Sequence, residues 1–333
     1  MTAVESGKPI GVARQVSGAR CGLGVSSGDP PGARLDAIEW VRVAAACGVV
    51  WFHVAGGPGK QLGYAGLICF ILIAVVFQAA GAEKDAFAAY FWKKSIRIIP
   101  PWLFWFGFYG LFNAARGKAL FPYSTGLAAN VLTGPWIGLW FLPFILLTSG
   151  VVYGLARATA CFKPLALAAG SLAIGMVALG VLPHAPGLWP TMNHPPWSQW
   201  IHALPALPIG LGVHGVMKTT GATRLIAMMV LLTVVETVCI DLWDSSSGVA
   251  ILYGVAVLVV GVGYLIPSRL PCAVTRFGGL CLGVYLVHSC VMSGLKIFPV
   301  AREAPWLLFA ATVVLSFSLT SLMRRNRWFV KVL

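Results

Sequence analysis

Residues 38–56 read IEWVRVAAACGVVWFHVAG. The stretch is long and apolar enough to cross a bilayer as a helix. It nevertheless carries Glu39, Arg42 and His53. Ionisable side chains at that depth are costly, and where they persist they usually face a cavity or a partner. At 100° per residue, Arg42 and His53 fall on one helical face about 16 Å apart along the axis, with Glu39 roughly 60° away. Each residue alone has a bland explanation: Arg42 can snorkel to headgroups, Glu39 can pair with a neighbour, and His53 can be an interfacial histidine. All three on one stripe point instead to a shared polar cavity.

The rest of the chain has the same character. Of 333 residues, 58% are hydrophobic and 10% charged, and the mean hydropathy is +0.83. A soluble domain is about half apolar and about a quarter charged. The composition therefore predicts an all-α, polytopic integral membrane protein. The net charge of +14 would suggest nucleic acid in a soluble protein. Here the basic residues lie between apolar spans, so no nucleic-acid partner is expected. They read as determinants of membrane orientation and as contacts for anionic lipid or a phosphate-bearing ligand. The 8 cysteines form no CxxC pair and most fall inside apolar spans. They read as small buried hydrophobes, with neither a disulfide framework nor a metal site expected.

On a ruler of about 20 apolar residues per crossing, spans are predicted near 38–56, 62–80, 97–114, 136–155, 165–182, 199–216, 225–241, 249–266, 277–295 and 306–323. With the N-terminus inside, eighteen Lys and Arg fall in inside segments and five (Lys60, Arg116, Lys118, Lys296, Arg302) in outside ones. That asymmetry places both termini in the cytoplasm, which an even number of spans permits. Residues 1–34, rich in Gly, Ser, Pro and Arg and without an apolar leader core, are expected to be a disordered cytoplasmic tail. Residues 35–323 then form the membrane domain and 324–333 a basic cytoplasmic tail. The outside loop 183–198 is rich in proline and aromatic residues, which read as interface anchors.

A second basic cluster opens the third span, FWKKSIRIIPP at 91–101. Lys94 and Arg97 are helical neighbours, and Pro100 and Pro101 predict that the helix starts or kinks there. The weaker embedded groups are His202 and His214, Glu236, and His288, with Trp140 in LWFLPF and Tyr285 in GVYLVH. Singly, each is compatible with packing.

Taken together these segments resemble the family-3 membrane acyltransferases, bacterial enzymes that modify surface carbohydrates. RLDAIEWVRVAAACGVVWFH (34–53) resembles the family's opening motif, an acidic residue three before an arginine and a histidine eleven after it: Glu39, Arg42 and His53. KKSIRIIP (93–100) is similar to its second motif, with Lys94, Arg97 and Pro100. LWFLPF looks like its Trp-Phe-Leu segment and GVYLVH like its late Tyr-Leu-x-His segment. Where some members carry a glutamate after the Trp segment, this chain has Pro143 and Phe144. The hydrolase-like domain of larger members is not expected here, so the membrane domain alone would carry the activity.

The resemblance implies acetyl-CoA, or another short acyl-CoA, as donor from the cytoplasm and no metal cofactor. It implies a carbohydrate hydroxyl as acceptor, lipid-linked or an exopolysaccharide repeat unit, in the bacterial inner membrane. Arg42, Lys94 and Arg97 would then pair with CoA phosphates by charge-assisted hydrogen bonds. His53 would act as base toward the hydroxyl or carry the acyl group. Glu39 would orient Arg42, and Trp140, Tyr285 and His288 would touch substrate. The rival readings are a secondary transporter running through Glu236, the span histidines and Arg42, a non-catalytic scaffold, and a lipid acyltransferase. The sequence is neutral on oligomeric state.

Overall fold

The computed structural model describes residues 36–121, 126–182, 193–219, 222–243, 248–265 and 273–333. The expectations for residues 1–34 and for most of the 183–198 loop lie outside the described residues. Among those described there is no strand, and fourteen α-helices follow one another. They are α1 (Asp36–Phe52), α2 (Ala65–Ala82), α3 (Phe87–Ala115), α4 (Leu127–Thr133), α5 (Phe141–Ala158), α6 (Pro164–Val181), α7 (Trp197–Ala203), α8 (Ala206–Met217), α9 (Ala222–Trp243), α10 (Val249–Leu265), α11 (Ala273–Gly278), α12 (Cys281–Leu295), α13 (Pro299–Glu303) and α14 (Pro305–Met323). With no water in a hydrocarbon layer, a chain this apolar must satisfy its backbone internally, and helices do that.

Among the described residues, five helical stretches are long and apolar enough to cross a membrane: Lys60–Ala82, Ile137–Ala158, Pro164–Val181, Trp197–Met217 and Pro305–Met323. Shorter apolar helices cover Ile226–Ile240, Val249–Tyr264 and Cys281–Leu295. The protein is thus a multi-pass, all-helical membrane protein. Two expectations change in detail. The helix of the third expected span begins at Phe87 and runs through Pro100 and Pro101, so the prolines do not start it. They leave the Ile96 and Arg97 carbonyls without a helical N–H donor. The sixth is two helices, α7 and α8, separated at Leu204 and Pro205.

Helix α1 ends at Phe52, one residue before His53. The His53 N–H donates to the Val50 carbonyl at 3.1 Å in the closing turn. Gly56 and Gly59, with φ of 74° and 60°, adopt the left-handed backbone that returns the chain into a 3-10 turn, Lys60–Tyr64, and α2. α1 and α2 then run antiparallel at very close range. A methyl group on Gly66 would overlap the Ala45 carbonyl, and one on Gly63 the Gly48 carbonyl. Small residues at such crossings are how helices associate in lipid, where apolar burial alone gives no drive.

α2 is largely enclosed and packs against α1, α5, α8 and α10. Around it, α6 pairs with α8, α9 with α10, α3 with α5 and α12 with α14. At the α2 terminus away from His53, Glu83 takes hydrogen bonds from His214 of α8 at 3.0 Å and from Lys218. Nearby, Asp85 is paired with Lys93 at 2.9 Å, and its carbonyl accepts from Arg157 at 3.0 Å. The C-terminal segment is docked on α3: Trp105 Nε1 donates to the Val332 carbonyl at 2.9 Å.

α1 also packs on α11, α12 and α10, and this contact holds its ion pair. Arg42 donates to Glu39 at 3.1 Å. Glu39 is 2% exposed and lies against Gly278, where any side chain would overlap its carboxylate.

Two outcomes follow from this packing. Gly278→Val should displace the Glu39 carboxylate and lower the melting temperature in detergent micelles by on the order of 5 °C. Adding Glu39→Ala should relieve the overlap, leaving the double variant no less stable than Glu39→Ala alone. Burial by itself would raise the Glu83 carboxyl, but the hydrogen bonds and charges of Lys218 and His214 outweigh it and hold it below its ordinary 4.5. A carboxylate depressed on folding stabilises above its unfolded pKa, and the benefit is lost as pH falls through the folded one. Glu83→Gln should therefore lower the melting temperature at pH 7, with the difference from wild type closing below about pH 4.

Candidate functional site

Two internal cavities flank α1 and meet at one side chain. The first, of about 250 Å³, is walled by His53, Tyr64, Trp140, Gln199, His202 and Tyr285, with apolar residues of α1 and α2. The second, also about 250 Å³, is lined by Arg42, Phe70, Ile98, Phe141, Leu282 and again Tyr285, among others. Among the described residues, Arg42 is the one charged side chain on its surface. The single shared polar cavity expected from the sequence is therefore not what the packing makes: Arg42 opens onto an apolar chamber and His53, just past the end of α1, onto a more polar one, with Tyr285 on the wall of both.

Tyr285 is held in that place from two sides. Its hydroxyl donates to the Gly138 carbonyl at 2.7 Å, and its ring lies 5.2 Å from that of Phe141. α12 is itself pinned to α3, because the Tyr109 hydroxyl donates to the Leu286 carbonyl at 2.7 Å. Trp140 belongs to the 3-10 turn Ile137–Trp140 that leads into α5. It is nearly buried and contributes to the His53 chamber.

His288, expected to touch substrate, has no surface on either chamber. It is 0% exposed and lies behind His53, the two rings 5.1 Å apart. Trp136 closes the other side, 5.4 Å from His288 with the rings near perpendicular. The reason is helical phase: His288 is three positions beyond Tyr285, so it shares the face of α12 but sits about one turn further along.

The basic residues of α3 divide. Lys93 is neutralised by Asp85. Lys94 and Arg97 have no carboxylate partner among the described residues. Lys94 is half-buried and one turn from Ile98 of the Arg42 chamber, with its Nζ 5.4 Å from the Tyr90 ring. Burial and then the Arg97 charge hold its ammonium below the ordinary lysine value. Arg97 is exposed, and like Lys94 it does not line the chamber itself.

At the other end, Lys296 caps α12 and Lys60 opens the turn that ends at Tyr64. Both are half-buried. Burial, and secondly the Lys60 charge, push the Lys296 ammonium below its ordinary value. The two chambers thus lie between a basic end near Lys94 and a second one near Lys60 and Lys296.

Several residues of the site were not picked out from the sequence. Tyr64, Trp136, Gln199 and the Gly138 carbonyl come from three separate segments, and none carries a local pattern that sets it apart from packing. Glu236, the acid on which a transport path would draw, is exposed on α9 and lines neither chamber. His214 is committed to Glu83.

Residues 35–325 match the sequence model of a family described as an acyltransferase domain, family 3. No curated protein and no solved structure matches the chain. The match spans both chambers and every element that lines them, and the chain belongs to the family-3 acyltransferases, as a multi-pass membrane acyltransferase.

Proposed function

We propose that the protein transfers an acetyl or other short acyl group from acyl-CoA to a hydroxyl of a cell-surface carbohydrate at the bacterial inner membrane. The leading acceptor is an exopolysaccharide repeat unit, free or lipid-linked. The observation that carries this reading is the pair of chambers meeting at Tyr285. One is apolar with a guanidinium at its wall, suited to a thin pantetheine arm whose phosphates need cations. The other is lined by aromatic and hydrogen-bonding groups and an imidazole, suited to a sugar.

In this reading about ten helices cross the membrane with both termini cytoplasmic, as the Lys and Arg distribution indicates. Arg42, Lys94 and Arg97 meet the CoA phosphates from the cytoplasmic side. Glu39 keeps Arg42 in one orientation and balances its charge in the low-dielectric interior. The acyl thioester reaches Tyr285, and the acceptor hydroxyl enters beside Trp140, Gln199 and His202. His53 removes the hydroxyl proton as oxygen attacks the thioester carbonyl. The thiolate then leaves and is protonated. Bound lipids surround the apolar faces of the outer helices.

A secondary transporter remains the reading from a different class, and the exposed position of Glu236 counts against it. The test combines genetics with chemistry. A deletion strain should lose O-acetyl signals from its surface polysaccharide by NMR, and wild type should restore them. His53→Ala should reach the membrane with an unchanged melting temperature and restore none. Arg42→Ala should raise the KM for acetyl-CoA roughly tenfold or more. Normal acetylation by His53→Ala would remove that residue from the reaction. Solute flux into proteoliposomes with no covalent product would favour transport.

A further inference from the structure

His288 holds a polar atom that the packing leaves unused. Its Nδ1 lies 2.7 Å from the Tyr285 carbonyl oxygen. A carbonyl only accepts, so Nδ1 carries the proton, and in the neutral ring Nε2 presents a bare lone pair. That Nε2 is fully buried and has no hydrogen-bond partner among the described residues. Leaving a buried acceptor unmade costs about 1–3 kcal/mol. An orphan of this kind in a native site calls for an account.

Its surroundings narrow the account. The ring is boxed by His53 at 5.1 Å, Trp136 at 5.4 Å and the Tyr285 ring at 6.0 Å. The Tyr285 hydroxyl is spent on the Gly138 carbonyl, and the Trp136 indole N–H makes no hydrogen bond to it. Having no surface on either chamber, His288 does not reach a substrate in the cavity. The facing imidazole of His53 does line the cavity, tilted 36° from His288, and carries a ring N–H of its own.

Resting on the reading of His53 as base, we infer that His288 is a positioning residue: not bonded to His53 in this structure, its Nε2 accepts the ring N–H of His53 when the facing imidazole turns toward it in the reaction, and so aims the other His53 nitrogen at the acceptor hydroxyl. The Tyr285 carbonyl fixes the His288 tautomer, and His288 fixes that of His53. In the reaction the acceptor O–H proton passes to the chamber-facing nitrogen of His53 while the new C–O bond forms. The proton on the far nitrogen is shared with His288 Nε2, spreading the imidazolium charge without a buried carboxylate. The C–S bond breaks, the thiolate takes a proton back from His53, and both rings return to their starting state. The net transfer is one proton from hydroxyl to thiol. This differs from substrate contact, because His288 would act only through His53.

The test uses the full-length protein in nanodiscs, with radiolabelled acetyl-CoA as donor and membranes of a deletion strain as acceptor source. His288→Leu removes the acceptor atom with similar bulk, and His288→Gln restores an acceptor oxygen. The expected result is a fall in kcat of about 100-fold for His288→Leu, in the range of a misdirected general base. The KM for acetyl-CoA should stay within about twofold, and His288→Gln should recover at least about tenfold of the lost rate, since only the acceptor is restored. Equal loss in both variants at unchanged melting temperature, loss confined to KM, or near wild-type rates would overturn it. So would loss of wild-type activity on chelation, which would point to a shared metal ion. A second readout needs no variant of His288: ¹⁵N-histidine NMR of the wild type should show the Nδ1–H tautomer at His288, with its Nε2 resonance moved by His53→Ala. An Nε2–H tautomer would refute the inference. His53→Ala assayed in parallel separates the two layers, because full transfer by that variant would fail the base assignment itself.

Discussion

A guanidinium inside an apolar bundle has to be answered by an opposite charge, and in this protein that answer fixes the first helix. The Glu39 carboxylate is almost wholly buried and pairs with Arg42 one turn later. Desolvating both charges is expensive, so the pair persists only where geometry is supplied from outside the helix. Gly278 supplies it by leaving room for the carboxylate, and Gly63 and Gly66 supply it by letting α2 come close enough to lock the axis of α1. With α1 held in rotation and height, Arg42 on the helix and His53 just past its end are delivered to two different chambers.

The place of Tyr285 then follows from one hydrogen bond. Without its donation to the Gly138 carbonyl, the phenol would be a buried, unsatisfied polar group. Bonded there, it stands on the wall of both chambers and ties α12 to the 3-10 turn that carries Trp140. Tyr109 ties the same helix to α3 through the Leu286 carbonyl. Two tyrosine hydroxyls therefore set where α12 sits, and with it the depth of His288 behind His53. The electrostatics agree with this layout. Lys94 and Lys296 are both half-buried cations whose ammonium groups are held down by burial and by a like charge nearby, and they mark opposite ends of the path.

How much of this was legible in the residues depended on whether the signal was local. The Glu39, Arg42 and His53 stripe could be read because helical geometry turns spacing into direction, and the ion pair is where the spacing put it. The family could be read for the same reason, since its motifs are short and ordered along the chain. His288 was legible as a residue but not in its place. Spacing put it with Tyr285, whereas only the packing of α12 against α1 showed that it stands behind His53, with no surface on either chamber. Arg97 likewise fell beside Lys94 in sequence, but it is exposed where Lys94 is half-buried.

The sequence by itself determined a helical membrane protein, the buried charges of its first helix and its membership of an acyltransferase family, because hydropathy, periodicity and motif spacing are properties of neighbouring residues. Only the tertiary structure decided that there are two chambers and that Tyr285 stands on the wall of both. It alone brought Gln199, Tyr64 and Trp136 to the site and left one nitrogen of His288 without a partner. Those features depend on how closely helices far apart in sequence approach one another. That approach is set by where glycines let backbones touch and by which buried polar atoms find a partner across the gap.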